Sequence, residues 1–328
     1  MTPVQARDTV CPVKCLLVLI SVMLLGSCAS VPSITEQRLR ALYPPERPFA
    51  ESRFATFGGI SLHYRTWTPA GDTLGKVLLL HTTGASTVSY RLLGPELAAA
   101  GYAVLAVDLP GFGYSDRAPD FVHTAENRSG LLWTLVDRVD TEPNAFPPAD
   151  TWVLLGHGMG GHVVTQMTLD RPSRVRGMVL VATEITGTIR PGRFTWFAPT
   201  RWILRSWLEN ALYTRAGVEE LLTDAYGRRA TDEEIDLYAA PLVRQGMPRA
   251  YVRYARTVGS MRFNLESIEV PVLVARGELD RQVRPDRVDA AATRLRDAQA
   301  VVIPGAGHLP METHPVETGE ALVRWMER

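Results

Sequence analysis

The chain has 328 residues, of which 46% are hydrophobic and 21% are charged, and its formal net charge at pH 7 is zero. This length suits one large domain with an insertion, or two modest domains. The balanced composition excludes intrinsic disorder, a polytopic membrane protein and a basic surface for nucleic acid. All three cysteines, Cys11, Cys15 and Cys28, lie near the N-terminus, so the rest of the chain has no disulfide framework, cysteine metal site or cysteine nucleophile.

The N-terminus is typical of a secretory signal. Its apolar run, 16–25, is shorter than the ~20 residues that span a bilayer. The next residues complete the sequence LGSC at 25–28, which resembles the bacterial lipobox, where the cysteine is acylated and the chain is cut just before it. The resemblance implies a signal peptide at 1–27, a lipidated Cys28 and a tether at 28–50. An ordinary signal peptide with a chance cysteine is the alternative.

The lipobox resemblance also implies a location. A lipidated Cys28 would hold the protein on a membrane of the bacterial cell envelope. Ala29 follows the cysteine, and the absence of an aspartate there favours the periplasmic side of the outer membrane in a Gram-negative cell.

Strand and helix patterns alternate along most of the remaining chain. Apolar and polar residues alternate around Gly58-Gly59, which predicts a hairpin over 54–67. Further buried strands are predicted at 76–81, 102–108, 151–156, 175–183, 270–276 and 301–304, and helices at 92–100, 124–139, 159–170, 285–296 and 315–326. Strands alternating with helices at this spacing imply βαβ units and a mostly parallel sheet.

The alternation stops between 186 and 266, a stretch rich in tryptophan, arginine and helix formers. We interpret it as a helical lid inserted into a sheet domain that covers 51–185 and 267–328. The lid carries the large apolar side chains Trp196, Phe197, Trp202 and Trp207. They are expected to form the core of the lid or, alternatively, an apolar substrate tunnel or a contact with lipid.

A predicted strand runs straight into a helix through the glycine-dense turn LGHGMGGH at 155–162. This turn resembles the G-x-S-x-G nucleophile elbow, with its outer glycines present as Gly156 and Gly160. The central position, where the motif carries a serine, is Gly158. Glycine suits the strained backbone of such an elbow, but it has no atom that could attack a substrate.

Four further motifs lie in the order found in the α/β-hydrolase family, which the chain resembles over roughly 53–328. They are LHTTG at 80–84, DLPGFGYS at 108–115, GELD at 277–280 and GAGHLP at 305–310. The resemblance implies an α/β fold in which a mostly parallel sheet of the eight-stranded type is flanked by helices and carries the inserted helical lid.

The same resemblance assigns roles to single residues. His308 would be the general base, and Asp280 would hold its tautomer and stabilise the imidazolium. The backbone N–H groups of Thr83 and Met159 would form the oxyanion hole. Neither a cofactor nor a metal ion is implied.

Other polar residues near these motifs are expected to be structural. His81 ends a strand, His157 precedes the elbow position and His162 lies on the following helix. Asp108 and Asp116 flank a glycine-rich loop and are predicted to brace it.

Two classes of function remain open. The first is a membrane-anchored hydrolase of small neutral or apolar esters in which the His308–Asp280 pair acts on water or on the substrate, or another group supplies the nucleophile. Loss of the serine hydroxyl would leave room for a water, whereas Thr82, Thr83 and Ser86 lie on the wrong strand for attack in the usual geometry.

The alternative is a catalytically silent binding module, a pseudoenzyme at the cell envelope. A glycine at 158 that is engineered or erroneous is a third possibility, against which the intact signal sequence argues. In each case the expected partners are a small-molecule substrate or ligand and the membrane, with no nucleic acid.

Overall fold

The computed structural model of the chain describes residues 36–142, 146, 150–186 and 198–328. The predicted signal peptide, Cys28 and the first part of the tether lie outside these residues. Among the residues described, none of the helices is both long and apolar enough to cross a membrane.

An eight-stranded sheet forms the centre of the domain, in the order β1-β2-β4-β3-β5-β6-β7-β8. The strands are β1 (Ser52–Phe57), β2 (Ile60–Trp67), β3 (Gly75–Leu80), β4 (Tyr102–Val107), β5 (Trp152–His157), β6 (Val175–Val181), β7 (Val272–Gly277) and β8 (Ala298–Ile303). The β1–β2 and β2–β4 pairs are antiparallel, and all the others are parallel. The predicted α/β fold with a mostly parallel sheet is therefore confirmed.

Helices flank this sheet, and a further set of helices lies between β6 and β7 in the chain. They are α1 (Glu36–Leu42), α2 (Leu93–Ala99), α3 (Ala125–Thr141), α4 (Met159–Asp170), α5 (Ala198–Trp207), α6 (Arg215–Tyr226), α7 (Asp232–Leu242), α8 (Met247–Thr257), α9 (Pro285–Arg294), α10 (Pro310–Thr313) and α11 (Pro315–Met326). Local sequence explains their starts. The Thr124 hydroxyl caps α3, and Thr231 with Glu234 forms a capping box at α7.

Strands β4 and β5 are buried along their whole length, as expected for parallel strands covered on both faces. The sequence placed the ends of most elements within a few residues. Strand β6 stops two residues early because the chain turns at Ala182, where φ is 45°. The Thr183 hydroxyl then donates back to the Val181 carbonyl at 2.8 Å and closes this turn.

The strand order locates a crevice. Strands β4 and β5 lie on opposite sides of β3, so the connections from β3 and β5 diverge above the carboxyl edge of the sheet. Leu80 and Gly156 are register partners near the ends of these two strands. The loops that begin at His81 and at Gly158 therefore start side by side.

Between β6 and β7, the described residues form the helices α5 to α8. The aromatic residues of α5 do not form a core as expected, because Trp202 is 71% exposed and Trp207 is 49% exposed. Leu208, immediately after α5, is fully buried. Trp196 and Phe197 lie outside the described residues.

Candidate active site

The turn from β5 into α4 has the backbone of a strained elbow. Gly158 is the N-cap of α4, with φ 49° and ψ −112°, a conformation that side chains rarely adopt. Its N–H donates to the Val181 carbonyl at 3.0 Å, and its own carbonyl accepts from the Gly161 N–H at 3.0 Å. Neighbouring backbone thus fixes this turn from both sides.

The flanking glycines allow strand and helix to approach each other. A Cβ atom at Gly156 would collide with the backbone of Gly160, and a Cβ atom at Gly160 would collide with the carbonyl of Leu80. These contacts are with backbone, which cannot swing aside as a side chain does. The glycine spacing is therefore required by the geometry of the elbow.

Asp280 and His308 follow the neighbouring strands β7 and β8, and their side chains form a hydrogen bond. His308 Nδ1 lies 2.9 Å from Asp280 Oδ2. The second oxygen of Asp280 accepts from the backbone N–H groups of Gln282 at 2.8 Å and Val283 at 3.3 Å. Among the described residues, no hydrogen bond engages Nε2 of His308, and this side chain is 10% exposed. One imidazole nitrogen is held while the other is left open.

The environment of Asp280 favours its charged form. Burial raises the pKa of this carboxyl group, but the hydrogen bond and charge of His308, together with the Gln282 and Val283 N–H groups, outweigh burial. The pKa of Asp280 is therefore held below its ordinary value. A charged carboxylate directs the proton of the neutral imidazole to Nδ1 and leaves Nε2 as the basic atom.

Two more histidines pack near His308. The His157 ring lies 4.6 Å from the His308 ring, centroid to centroid, and burial, followed by the nearby His308 and His81 rings, lowers the pKa of His157 well below its ordinary value. His81 donates from Nδ1 to the Thr82 carbonyl at 2.7 Å and accepts from the Leu109 N–H at 2.9 Å. His157 packs as a neutral ring, and His81 has the predicted structural role.

The remaining polar residues singled out in the sequence brace loops, as predicted. His162 bonds to the Glu184 carbonyl at 3.0 Å. Asp108 accepts from the Tyr114 N–H at 2.7 Å, and Asp116 accepts from the Ser61 N–H at 2.9 Å.

Thr83 and Met159, the two residues expected to donate backbone N–H groups, lie on the two loops that start side by side. The Thr83 hydroxyl reaches Tyr254 of the lid helix α8 at 3.4 Å. The Met159 N–H donates at 3.3 Å to the hydroxyl of Thr82. One of the two expected oxyanion donors is therefore engaged by a side chain of the opposite loop.

The space beside Gly158 is filled. A Cβ atom at Gly158 would lie 3.0 Å from the Cβ of Thr82 and closer still to its hydroxyl oxygen. The missing side chain therefore leaves no room for a water at the Cβ position of residue 158, whereas room for a water near the His308–Asp280 pair stays a prediction. The reason is long-range: the Thr82 side chain leans across from the end of β3 into that space.

Sequence reasoning missed a buried guanidinium beside the elbow. Arg128 on α3 contacts the Met159 sulfur at 3.0 Å and the His123 ring at 3.1 Å, and it stacks on Tyr254 at 4.9 Å. Burial lowers the pKa of Arg128 to about 10. Arg128 therefore packs against the side chain of Met159, and no local sequence motif predicts this contact.

A second cluster ties the lid to the histidine loop. The Glu312 carboxylate on α10 accepts from the Tyr226 hydroxyl of α6 at 2.8 Å and pairs with Arg91. The His308 N–H donates to the Ala225 carbonyl, also on α6, at 2.7 Å. The end of α6 therefore fixes the loop that carries His308.

Comparisons with known proteins agree with this architecture. A crystal structure of a membrane phospholipase A superposes with a TM-score of 0.68 at 18% identity, covering 96% of this chain and 98% of that protein, which shows the shared fold. A monoacylglycerol lipase of Mycolicibacterium smegmatis is 27% identical, covering 79% of this chain and 90% of the lipase. A pimeloyl-[acyl-carrier protein] methyl ester esterase of Shewanella oneidensis is also 27% identical, covering 78% of this chain and 93% of the esterase.

A family model described as serine aminopeptidase, S33 matches residues 71–313, which is more than half of the chain. The match begins before β3 and ends within α10, so it includes both strand-end loops, the elbow and the His308 loop. The chain therefore belongs to the serine aminopeptidase S33 family and has the α/β-hydrolase fold.

Proposed function

We propose that this protein is a lipid-anchored hydrolase of small neutral or apolar carboxylic esters, with His308 as general base. The observation that carries the proposal is the 2.9 Å hydrogen bond between His308 Nδ1 and Asp280 Oδ2, with Nε2 left open. An imidazole held in this way can take a proton from an attacking oxygen and return it to the leaving group.

Gly158 stands where the elbow motif carries its serine, so no acyl group can form on residue 158. The route is therefore non-standard: His308 activates a different oxygen, and the backbone N–H groups of Thr83 and Met159 stabilise the charge that develops on the carbonyl oxygen. Loss of the elbow hydroxyl removes neither the base nor these two donors.

The substrate class is supported by the surroundings and by relatives. Phe112 and Tyr254 pack against each other with ring centroids 5.4 Å apart, and the Tyr254 hydroxyl lies 3.4 Å from the Thr83 hydroxyl, so aromatic rings lie beside the strand-end loops. Two relatives are named for ester hydrolysis, one of a monoacylglycerol and one of a methyl ester. Both names denote hydrolysis of carboxylic esters.

The membrane location is supported by Cys28 and by the lid. A groove of about 740 Å³ beside the lid helices α5 and α8 is lined by Trp202 and by arginines that include Arg249 and Arg256, both exposed. Exposed tryptophan beside arginine suits the interface of an anionic lipid surface, where the ring is buried and the cation stays hydrated.

Ester hydrolysis by purified protein tests the catalytic half of the proposal. With p-nitrophenyl butyrate as probe, wild type should turn over, and His308→Ala should lose about 10²–10⁴-fold in rate. His314→Ala is the matched control, because His314 lies nearby in the chain, between α10 and α11, and bonds to Thr313 rather than to an acid. Equal rates in wild type and His308→Ala would contradict the proposal.

Acylation tests the anchor. Radiolabelled palmitate fed to expressing cells should enter wild type and fail to enter Cys28→Ala, because the thiol is the proposed attachment site. Equal labelling of both proteins would contradict a lipid anchor at Cys28 without touching the catalytic half.

A silent binding module is the second candidate, and one observation favours it. The Thr82 hydroxyl takes the Met159 N–H, which an oxyanion would need. A protein that binds ester analogues but turns over none of them, in wild type and in Thr82→Ala alike, would be the pseudoenzyme.

A further inference from the structure

We propose that the nucleophile of this protein is the hydroxyl of Thr82, which reaches the elbow from the end of β3. The inference rests on the proposed hydrolase function and names the oxygen that His308 activates. Its first support is position. The Thr82 hydroxyl lies inside van der Waals contact of the point where a Cβ atom at Gly158 would stand. The hydroxyl thus occupies the space of the missing elbow side chain.

The backbone holds Thr82 in this position. Its carbonyl accepts from His81 Nδ1 at 2.7 Å and from the Ala85 N–H at 3.2 Å, which fixes the backbone of the residue. The Met159 N–H, which donates to the hydroxyl at 3.3 Å, orients the side chain towards Gly158. Glycine at 158 is what makes this possible, because any Cβ atom there would collide with Thr82.

The electrostatics suit a nucleophile. The Met159 N–H donates to the Thr82 oxygen at 3.3 Å, and a donor to this oxygen stabilises the charge that grows on it as its proton leaves. The hydroxyl proton remains available for a base. As attack proceeds, the Met159 N–H can turn to the neighbouring oxyanion, which is bonded to the same carbon as Thr82 Oγ1.

The base lies next to the elbow. Gly158 follows His157, whose ring packs against the His308 ring at 4.6 Å. Thr82 touches the space beside Gly158 from the opposite loop. The elbow is thus contacted by Thr82 and, through His157, by the base, and the proposed proton transfer requires the hydroxyl to come within hydrogen-bond reach of His308 Nε2.

The other hydroxyls of this loop are engaged elsewhere. Ser86 is the N-cap of the short helix at 87–90 and accepts from the Val88 N–H at 3.3 Å. The Thr83 hydroxyl turns to Tyr254 at 3.4 Å. Thr82 is the hydroxyl on the 82–86 segment that faces the elbow.

The reaction is then two acyl transfers. Thr82 Oγ1 attacks the ester carbonyl carbon, its proton passes to His308 Nε2, and the alcohol leaves with that proton. The acyl group is now an ester of Thr82. Water attacks the same carbon, gives a proton to His308, and releases the acid as the proton returns to Thr82.

Labelling with a fluorophosphonate followed by peptide mass spectrometry tests the proposal. Attack on phosphorus with loss of fluoride should modify Thr82 in wild type. Thr82→Val keeps the shape without the hydroxyl and should lose the label and about 10³-fold or more in ester turnover, whereas Thr82→Ser should keep both. Ser86→Ala is the matched control, since its hydroxyl caps a helix, and it should retain both label and turnover.

Two outcomes would overturn the proposal in different ways. Turnover that survives in Thr82→Val and is lost in His308→Ala would mean direct attack by water, which leaves the hydrolase standing. If wild type showed no turnover and took no label, both the proposed nucleophile and the proposed function would be overturned.

Relocation of the nucleophile gives a second measurement. Gly158→Ser alone should take no label at residue 158, because its Cβ would collide with Thr82. Gly158→Ser combined with Thr82→Gly removes that side chain and should move the label to residue 158. Full labelling of residue 158 in the single variant would show that Thr82 does not hold this space and would overturn the proposal.

Discussion

Among the residues that the structure describes, two imidazole–carboxylate pairs have nearly the same geometry. Nδ1 of His308 lies 2.9 Å from Asp280, and Nδ1 of His63 lies 2.8 Å from Asp108. Each carboxylate also accepts backbone N–H groups and has a pKa below its ordinary value. Hydrogen bonding within the pair therefore cannot distinguish a catalytic site from a structural one.

The other imidazole nitrogen makes the difference. Nε2 of His63 is bonded to Ser52 at 2.8 Å, and the ring is fully buried near Phe54 and Tyr114, with centroids at 5.0 and 5.5 Å. Ser52, His63 and Asp108 even repeat the chemical types of a hydrolytic triad. Because no substrate can reach that ring, the arrangement binds three segments of the fold together, while His308 keeps its open nitrogen.

The largest effect that would sharpen this comparison is on turnover. Asp280→Asn should lower ester hydrolysis by about 10⁴-fold, because an amide favours the wrong imidazole tautomer. The same change should leave thermal unfolding close to wild type, since asparagine keeps the size of the side chain and an oxygen that can accept from the Gln282 and Val283 N–H groups. A large loss of stability with unchanged turnover would mean that the His308–Asp280 pair is structural, like the His63–Asp108 pair.

Removal of the buried imidazole should have the opposite signature. His63→Ala leaves the Asp108 carboxylate buried without its cationic or donor partner and should cost about 3–5 kcal/mol in the free energy of unfolding. Urea denaturation measures it. Turnover per folded molecule should stay near wild type. A loss of turnover in a fully folded His63→Ala variant would contradict the assignment of this pair to stability alone.

Acid should weaken the buried pair over a defined range. Burial raises the pKa of Asp108, but His63 and then His81 and the Tyr114 N–H lower it to about 2. A carboxyl with a depressed folded pKa contributes stability above its unfolded pKa of 3.8, and that contribution is lost as the pH falls towards 2. The free energy of unfolding should therefore drop between these values, and less so in Asp108→Asn. Parallel pH profiles for the two proteins would contradict this.

The smallest effect concerns the serine of the buried triad. Ser52→Ala frees Nε2 of His63 and removes one hydrogen bond, which should cost about 1 kcal/mol in stability. Turnover should not change in this variant, even when its histidine has an open nitrogen, because the ring stays inaccessible. Fluorophosphonate labelling of Ser52 in wild type would break the comparison altogether.

The sequence predicted the sheet, the elbow and the two loops that carry Asp280 and His308, because each is written in a local pattern. Glycines at fixed spacing report the close contact of β5 and α4, and apolar runs report buried strands. Glycine at 158 also predicted the strained backbone of the elbow correctly, because the fit of a glycine there depends on the backbone of that turn alone.

What the sequence could not predict depends on contacts between distant segments. Thr82 was set aside because it follows β3 and not β5, yet the strand order brings its side chain to Gly158. Arg128 reaches the elbow from α3, 31 residues earlier in the chain than Met159. Trp202 was expected in a core because tryptophan is usually buried, but α5 turns it outwards.

The attachment of α6 to the histidine loop constrains how the lid can move. The Ala225 carbonyl holds the His308 N–H, and Tyr226 holds Glu312, so a lid that swung open as one body would displace the base with it. An opening that leaves the base in place would have to keep α6 still and move only helices without these bonds, such as α5 and α8. Gly246, with φ 88° immediately before α8, is a residue that could absorb such a change. In kinetic terms, substrate access would then depend on α5 and α8, whereas the position of the base would depend on α6.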